Sequence, residues 1–349
     1  MRPEQWQLFK AAAKRQNRGG PIPVSLIVDC PWIPPYCGVS QWDYFFDPET
    51  WFQCNVKVQR DFPDVIWFPS WWSEMGMGAE PSALGPRLRF NRHRVPDVEP
   101  FPFPMERLDE LTLPDARTDG FMAPCLYRYE KLKQRIEQEG FTVPVVAARG
   151  PLTIASFFRG VTQLMEDIVD EPERTLKLFD LTTNLGIAWL KAQAEALGDC
   201  VEGILVLDDI AGFISRKHYQ EFAHPFLKRY CDAFPADWVK VFHNDASVAA
   251  CIDLVPDAGF DVLNWGIETS MTKACEKLGG RMTLMGNVPP LHVGVRGPPE
   301  ENYAAAIKAM EEAGDHPLIL SFAGVTTNGV SPENVRAIAR AGRDFNARR

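Results

Sequence analysis

The segment Val239-Lys240-Val241-Phe242-His243-Asn244-Asp245 is an apolar run that ends in an imidazole and a carboxylate. A buried parallel strand delivers its last side chains to the rim of a sheet or barrel, where ligands bind and catalytic groups collect. In an extended segment, residues two apart face the same side, so His243 and Asp245 point together. An imidazole nitrogen and a carboxylate oxygen so placed suit a divalent metal, or a proton donor and the group that orients it. The plainer reading is that both residues cap the helix that follows. A second acidic pair, Asp208-Asp209, precedes Ile210. Neighbours on a strand face opposite ways, so one of the two is expected to cap a helix and Asp209 to face inward. Glu74 and Glu80 share a loop with Gly76, Gly78 and Gly85 and are candidates to reach the same place. The glycines permit close backbone approach or simply make turns.

The elements that must hold these groups are legible beyond Gly120. Strands are expected over 141–148, 203–207, 238–242, 262–265, 282–285 and 318–321, with an earlier one ahead of Ser70. Between them, helical patterns occupy 153–159, 173–197, 217–234, 247–258, 271–278, 300–313 and 332–341. Strand and helix alternating this closely predict a parallel sheet, and this many repeats favour a closed (β/α)8 barrel over an open sheet. At 349 residues the chain fits one large barrel domain over 1–349, with 1–120 as an N-terminal elaboration partly covering the barrel mouth. The strand ends then gather Arg149, Asp208-Asp209, His243-Asn244-Asp245, Asn264-Trp265-Gly266, Gly286-Asn287-Val288 and Phe322-Ala323-Gly324 at one rim.

Residues 1–119 hold most of the tryptophans, in runs such as Trp67-Phe68-Pro69-Ser70-Trp71-Trp72. Proline keeps such a region out of long helices, so it should be loop-rich and close over something. The aromatic rings are expected either to line the pocket of an aromatic substrate or to pack a barrel end as core.

Composition narrows the partners. A formal net charge of -9 and the lack of a basic patch interleaved with aromatics argue against nucleic acid. No apolar run reaches the ~18 residues of a membrane span, and residues 1–20 lack the apolar core of a signal peptide. A cytoplasmic protein without a membrane partner is expected. The eight cysteines form no C-x-x-C pair, so neither a disulfide framework nor a closed zinc knuckle is indicated.

The chain resembles the uroporphyrinogen decarboxylase superfamily, and within it the cobalamin-dependent methyltransferases. The resemblance runs from about Asp47 to the C-terminus. It rests on Gly150-Pro151-Leu152-Thr153-Ile154-Ala155-Ser156 with Gly160, Asp170-Glu171-Pro172-Glu173, Asp208-Asp209-Ile210-Ala211-Gly212-Phe213-Ile214-Ser215, Pro225-Phe226-Leu227-Lys228, Gly286-Asn287-Val288 and Ser331-Pro332-Glu333-Asn334. The decarboxylases carry an N-terminal arginine motif, a tyrosine in the segment matching Gly150 to Gly160, and a histidine in the last strand-end loop. This chain lacks that arginine motif and has Phe157 and Ala323 in the other two places. The thiol-methylating members bind zinc through a His-x-Cys pair and a later cysteine, whereas here the elements read His243-Asn244-Asp245 and Phe322-Ala323-Gly324.

The resemblance therefore implies methyl transfer from a small methylated substrate, most naturally an aryl methyl ether, to cob(I)alamin carried by a separate corrinoid protein. His243, Asp245 and Asp209 are the catalytic candidates, with His243 and Asp245 able to hold a metal, zinc by the family's habit. An ether oxygen is a poor leaving group unless protonated or bound to a Lewis acid, which is the task assigned to His243 with Asp245. Trp67, Trp71, Trp72, Glu80, Phe157, Trp265, Asn287 and Phe322 are the substrate-binding candidates, the tryptophans as an aryl-stacking wall. The alternatives are a lyase acting on another small acid, with Arg149 or Arg159 holding a carboxylate, and a non-catalytic binding protein that has lost its zinc site.

Overall fold

A computed structural model describes residues 1–349. Eight parallel strands form the barrel: β1 (Ser25–Ile27), β2 (Ile66–Phe68), β5 (Val145–Arg149), β6 (Gly203–Leu207), β7 (Val239–Asn244), β8 (Val262–Trp265), β9 (Thr283–Val288) and β10 (Leu318–Phe322). A short antiparallel hairpin, β3 (Arg87–Arg89) and β4 (Asp97–Glu99), stands apart from them. Strands β5 to β10 pair in sequence order as one sheet, and β1 pairs with β2. Single bridges from Val24 to Leu320 and from Ile27 to Val325 bring β1 against β10.

Alternation along each strand separates two apolar layers. Ile27, Phe68, Val145, Leu205, Val241, Val262, Met285 and Ile319, one from each strand, meet in a buried inner cluster. The residues between them, such as Leu26, Trp67, Val146, Val206, Phe242, Leu263, Leu284 and Leu320, belong to the larger layer beneath the helices. The foot of the barrel is stopped by the helix Pro3–Ala13, whose Trp6, Phe9, Ala12 and Ala13 join the inner cluster at helical spacing. Phe9 stacks on Phe68 at 4.7 Å, and Thr283 Oγ1 donates to the Ala12 carbonyl at 2.9 Å. Residues 1–120 thus contribute two barrel strands and this stopper as well as the hairpin.

Several boundaries differ from those expected. The strand expected over 141–148 begins at Val145, because Phe141 turns aside to pack on Trp71 at 5.7 Å. The pattern over 217–234 breaks into Arg216–His218, a wide π turn at Tyr219–Ala223, and His224–Asp232. Pro225 supplies no N–H to a continuing ladder, which accounts for the interruption. Over 247–258 the only helical segment is the 3₁₀ stretch Ile252–Ala258, which contains Pro256. No helix is long and apolar enough to cross a membrane.

Candidate active site

The inward positions of β7 are Val239 and Val241, then His243, so the lumen changes from apolar to polar at its upper end. His243 is 2% exposed, and its Nδ1 lies 2.7 Å from Asn264 Oδ1 on the neighbouring β8. The Asn264 amide nitrogen donates to the Met285 carbonyl at 2.7 Å and the Phe322 carbonyl at 3.0 Å, so its oxygen must face the imidazole. Nδ1 therefore carries the proton and donates, and Nε2 is left to act. Nε2 looks to the lip, 3.5 Å from Asp245 Oδ1 and 3.8 Å from Asp209 Oδ1. The two carboxylates are themselves linked, since the Asp245 N–H donates to Asp209 Oδ1 at 2.7 Å.

Glycine makes this crowding possible. A Cβ on Gly324, which has φ +100°, would collide with the Asp245 carboxylate, and one on Gly266 would collide with the Asp245 carbonyl. Desolvation among these groups pushes the Asp245 carboxyl above its ordinary value, with Asp209 adding to the effect and His243 opposing it.

Asp208 takes the other direction. Its carboxylate accepts from Leu152 N and Thr153 N, both at 3.0 Å, and from Thr153 Oγ1 at 2.9 Å. It thus serves the first turn of the helix Pro151–Arg159, which follows β5, rather than a helix of its own. A Cβ at Gly150 would overlap Asp208, so the Gly150-Pro151-Leu152-Thr153 motif and the Asp208-Asp209 motif are two halves of one contact. Asp209 lies on the His243 side.

Across the barrel a second polar group surrounds Arg149, the last inward residue of β5. Arg149 Nη2 donates to Glu74 Oε2 and to the Gly76 carbonyl, each at 3.0 Å, and the guanidinium stands 4.7 Å from the Trp72 ring centroid. Glu80 Oε1 accepts from the Arg149 N–H at 2.8 Å, and Glu74 Oε1 accepts from the Cys30 N–H at 3.3 Å. Asp29 lies beside them, buried, with Oδ1 unpartnered. Burial raises the Asp29 carboxyl well above its ordinary range, Glu74 and Asp245 add to this, and Arg149 opposes it. Burial likewise raises Glu80, against the pull of Arg149.

The structure brings together His243, Asp245 and Asp209, and it brings Trp72, Glu74 and Glu80 to Arg149. Asn287 occupies an upper position on β9 beside Ser321, its Nδ2 buried and unpartnered like the Ser321 hydroxyl. Four aromatic candidates require correction. Trp67, Trp265 and Phe322 sit at odd steps from the inward residues Phe68, Asn264 and Ser321, so they face the helices. Trp67 stacks on Trp32 at 5.2 Å, and Trp265 Nε1 donates to the Thr269 carbonyl at 2.8 Å. Trp71 is enclosed by Trp51, Phe52 and Phe141 at 5.5 to 5.7 Å. None of these four forms a wall at the mouth. Phe157 is half-buried on the helix Pro151–Arg159.

Sequence reasoning set Asn264 at the rim without a role and passed over Asp29 and Cys30 as site residues. Asn264 was visible as the residue level with His243 on the next strand, and Asp29 as the residue two beyond the inward Ile27. Cys30 carried no spacing signal of its own.

A family model for uroporphyrinogen decarboxylase matches residues 38–345. The chain belongs to the uroporphyrinogen decarboxylase family. Among curated family members, it is 27% identical over 204 residues to a uroporphyrinogen decarboxylase of Myxococcus xanthus, spanning 56% of that protein. It is 26% identical over 263 residues to a methylcobamide:CoM methyltransferase of Methanosarcina barkeri, covering 73% of this chain and 74% of the relative. The chain thus spans about half the length of the decarboxylase and about three quarters of the methyltransferase. A methyltransferase from Methanosarcina mazei shares the fold with a TM-score of 0.82 at 22% identity, over 97% of both chains. The methyltransferase branch of the family is therefore among this chain's relatives, alongside the decarboxylases.

Proposed function

We propose that this protein is a corrinoid-dependent methyltransferase that demethylates a small methylated substrate, with an aryl methyl ether as the preferred class. The observation that carries the reading is the fixed tautomer of His243, which presents Nε2 to the upper lumen between Asp209 and Asp245. Protonated, Nε2 is an acid that lies between two carboxylates. As the methyl–oxygen bond breaks, the Nε2 proton passes to the leaving oxygen, and the imidazole returns to its neutral Nδ1–H form. A cob(I)alamin cofactor presented by a partner corrinoid protein would supply the nucleophile that takes the methyl group.

Four exposed apolar side chains on the loops after the strands, Met77, Phe213, Ile267 and Leu291, suit the lip to such a partner. Trp72 is the one candidate tryptophan on the lumen side, so the aryl preference rests on leaving-group chemistry more than on stacking. A zinc thiolate centre does not fit at His243. Its donors are one imidazole and two carboxylates with no thiol, and no step is assigned to a metal there.

Decarboxylation is disfavoured because both candidate arginines are already engaged. Arg149 is held by Glu74, and Arg159 is paired with Asp167 at 2.7 Å. The test is an anaerobic assay with cob(I)alamin, a corrinoid protein and a panel of methoxylated aromatics and methylated amines, following the appearance of methylcobalamin. His243→Ala is expected to lower transfer from ethers by about 100-fold or more while keeping the fold. A fully active His243→Ala enzyme would overturn the assignment.

A further inference from the structure

We propose that Asp29, Cys30 and Glu74 form a binding site for a divalent cation of the zinc class, across the barrel from His243. Asp29 and Cys30 follow β1, and Glu74 lies in the loop after β2, whereas His243 ends β7 on the far side of the strand order. All three residues are buried, at 6%, 2% and 3% exposure. One ligand-type atom from each, two carboxylate oxygens and a thiol sulfur, lies within 4.8 Å of the other two. Tetrahedral zinc with bonds of about 2.0 to 2.3 Å holds its ligand atoms roughly 3.5 Å apart, so a modest inward movement of side chains completes the set.

A second, independent observation points to a cation. Asp29 Oδ1 is buried without any hydrogen-bond partner, and an isolated buried carboxylate is costly unless it is paired or coordinated. Arg149 does not answer it, since its side chain donates to Glu74 and the Gly76 carbonyl and makes no hydrogen bond to Asp29. The Arg149 guanidinium is paired with Glu74 alone, so the Asp29 oxygen stands without a partner beside the place where the ligand atoms converge. The thiol decides the class of ion. Oxygen ligands alone would suit magnesium or calcium, whereas a sulfur donor favours zinc and its borderline neighbours. This site does not depend on the methyl-transfer reading.

The test uses the full chain stripped with a chelator and titrated with cobalt(II), whose d–d and sulfur-to-cobalt charge-transfer absorptions report geometry and thiolate ligation. One tightly held cobalt with a charge-transfer band, displaced by zinc and not by magnesium, is expected. Cys30→Ser should remove that band. Asp29→Asn should keep it but weaken cobalt binding by about tenfold or more. His243→Ala should leave both band and affinity unchanged. Absence of bound cobalt, a band that survives Cys30→Ser, or loss of cobalt on His243→Ala alone would each overturn the site. Circular dichroism checks the fold of each variant. If Cys30→Ser fails to fold, the near-isosteric Asp29→Asn decides, and unchanged affinity there overturns the site.

Discussion

Asn264 governs what His243 can do, because an amide locked on two carbonyls has only its oxygen to offer the imidazole. The consequence is testable without touching the histidine. Asn264→Ala should lower kcat by about 10- to 100-fold with little change in KM, since it disturbs proton placement rather than substrate contacts. Asn264→Asp keeps an acceptor against Nδ1, so it should retain more activity than Asn264→Ala. Equal losses in the two variants would show that the Nδ1 hydrogen bond does not position His243.

At the scale of elements, Asp208 fastens β6 to the helix Pro151–Arg159, and this contact has a pH signature. Burial pushes its carboxyl up to about 7 from the ordinary 3.8, against three hydrogen-bond donors. An acid whose folded pKa lies above its unfolded value binds more protons when folded between those two pH values. Its stabilising contribution is therefore whole below the lower value and lost as pH rises to the upper one, by as much as about 4 kcal/mol. Asn caps helices well and does not titrate. The thermal midpoint of Asp208→Asn should thus fall less than that of the parent between about pH 5 and pH 8, and parallel slopes would refute the assignment.

The same scale shows what could be read from the chain. The strands Gly203–Leu207 and Val262–Trp265 and the helix Met271–Leu278 stand where the pattern placed them, because apolar runs bounded by glycine, proline or acidic caps leave little choice of period. The barrel and the His243 pair follow from that alternation. The tryptophan wall does not, since ring chemistry carries no information on the two-residue period that decides which way a strand residue faces. Trp265 and Asn264 are adjacent, and the period gives the lumen to the asparagine. The Asp29–Cys30–Glu74 grouping was out of reach because it joins loops 44 residues apart through tertiary closure alone.

For the molecule as a whole, the exposed apolar side chains after β2, β6, β8 and β9 separate two kinds of assay. If they seat a corrinoid protein, Phe213→Glu with Leu291→Glu should reduce methyl transfer to protein-bound corrinoid by about tenfold or more, since charge at an apolar contact is poorly tolerated. Transfer to free cobalamin should be nearly unchanged. Equal losses with both acceptors would point to a disturbed mouth instead of a lost docking surface.

The stopper helix adds a constraint on the order of events. Trp6, Phe9 and Thr283 fill the foot of the barrel, so that end offers no way in, and a carrier protein seated over the opposite end would block the route of a small molecule to His243. On the methyl-transfer reading, substrate loads first and the demethylated product leaves only after the carrier has lifted away. Turnover would then be a compulsory sequence, and an excess of carrier over substrate would slow the enzyme instead of driving it.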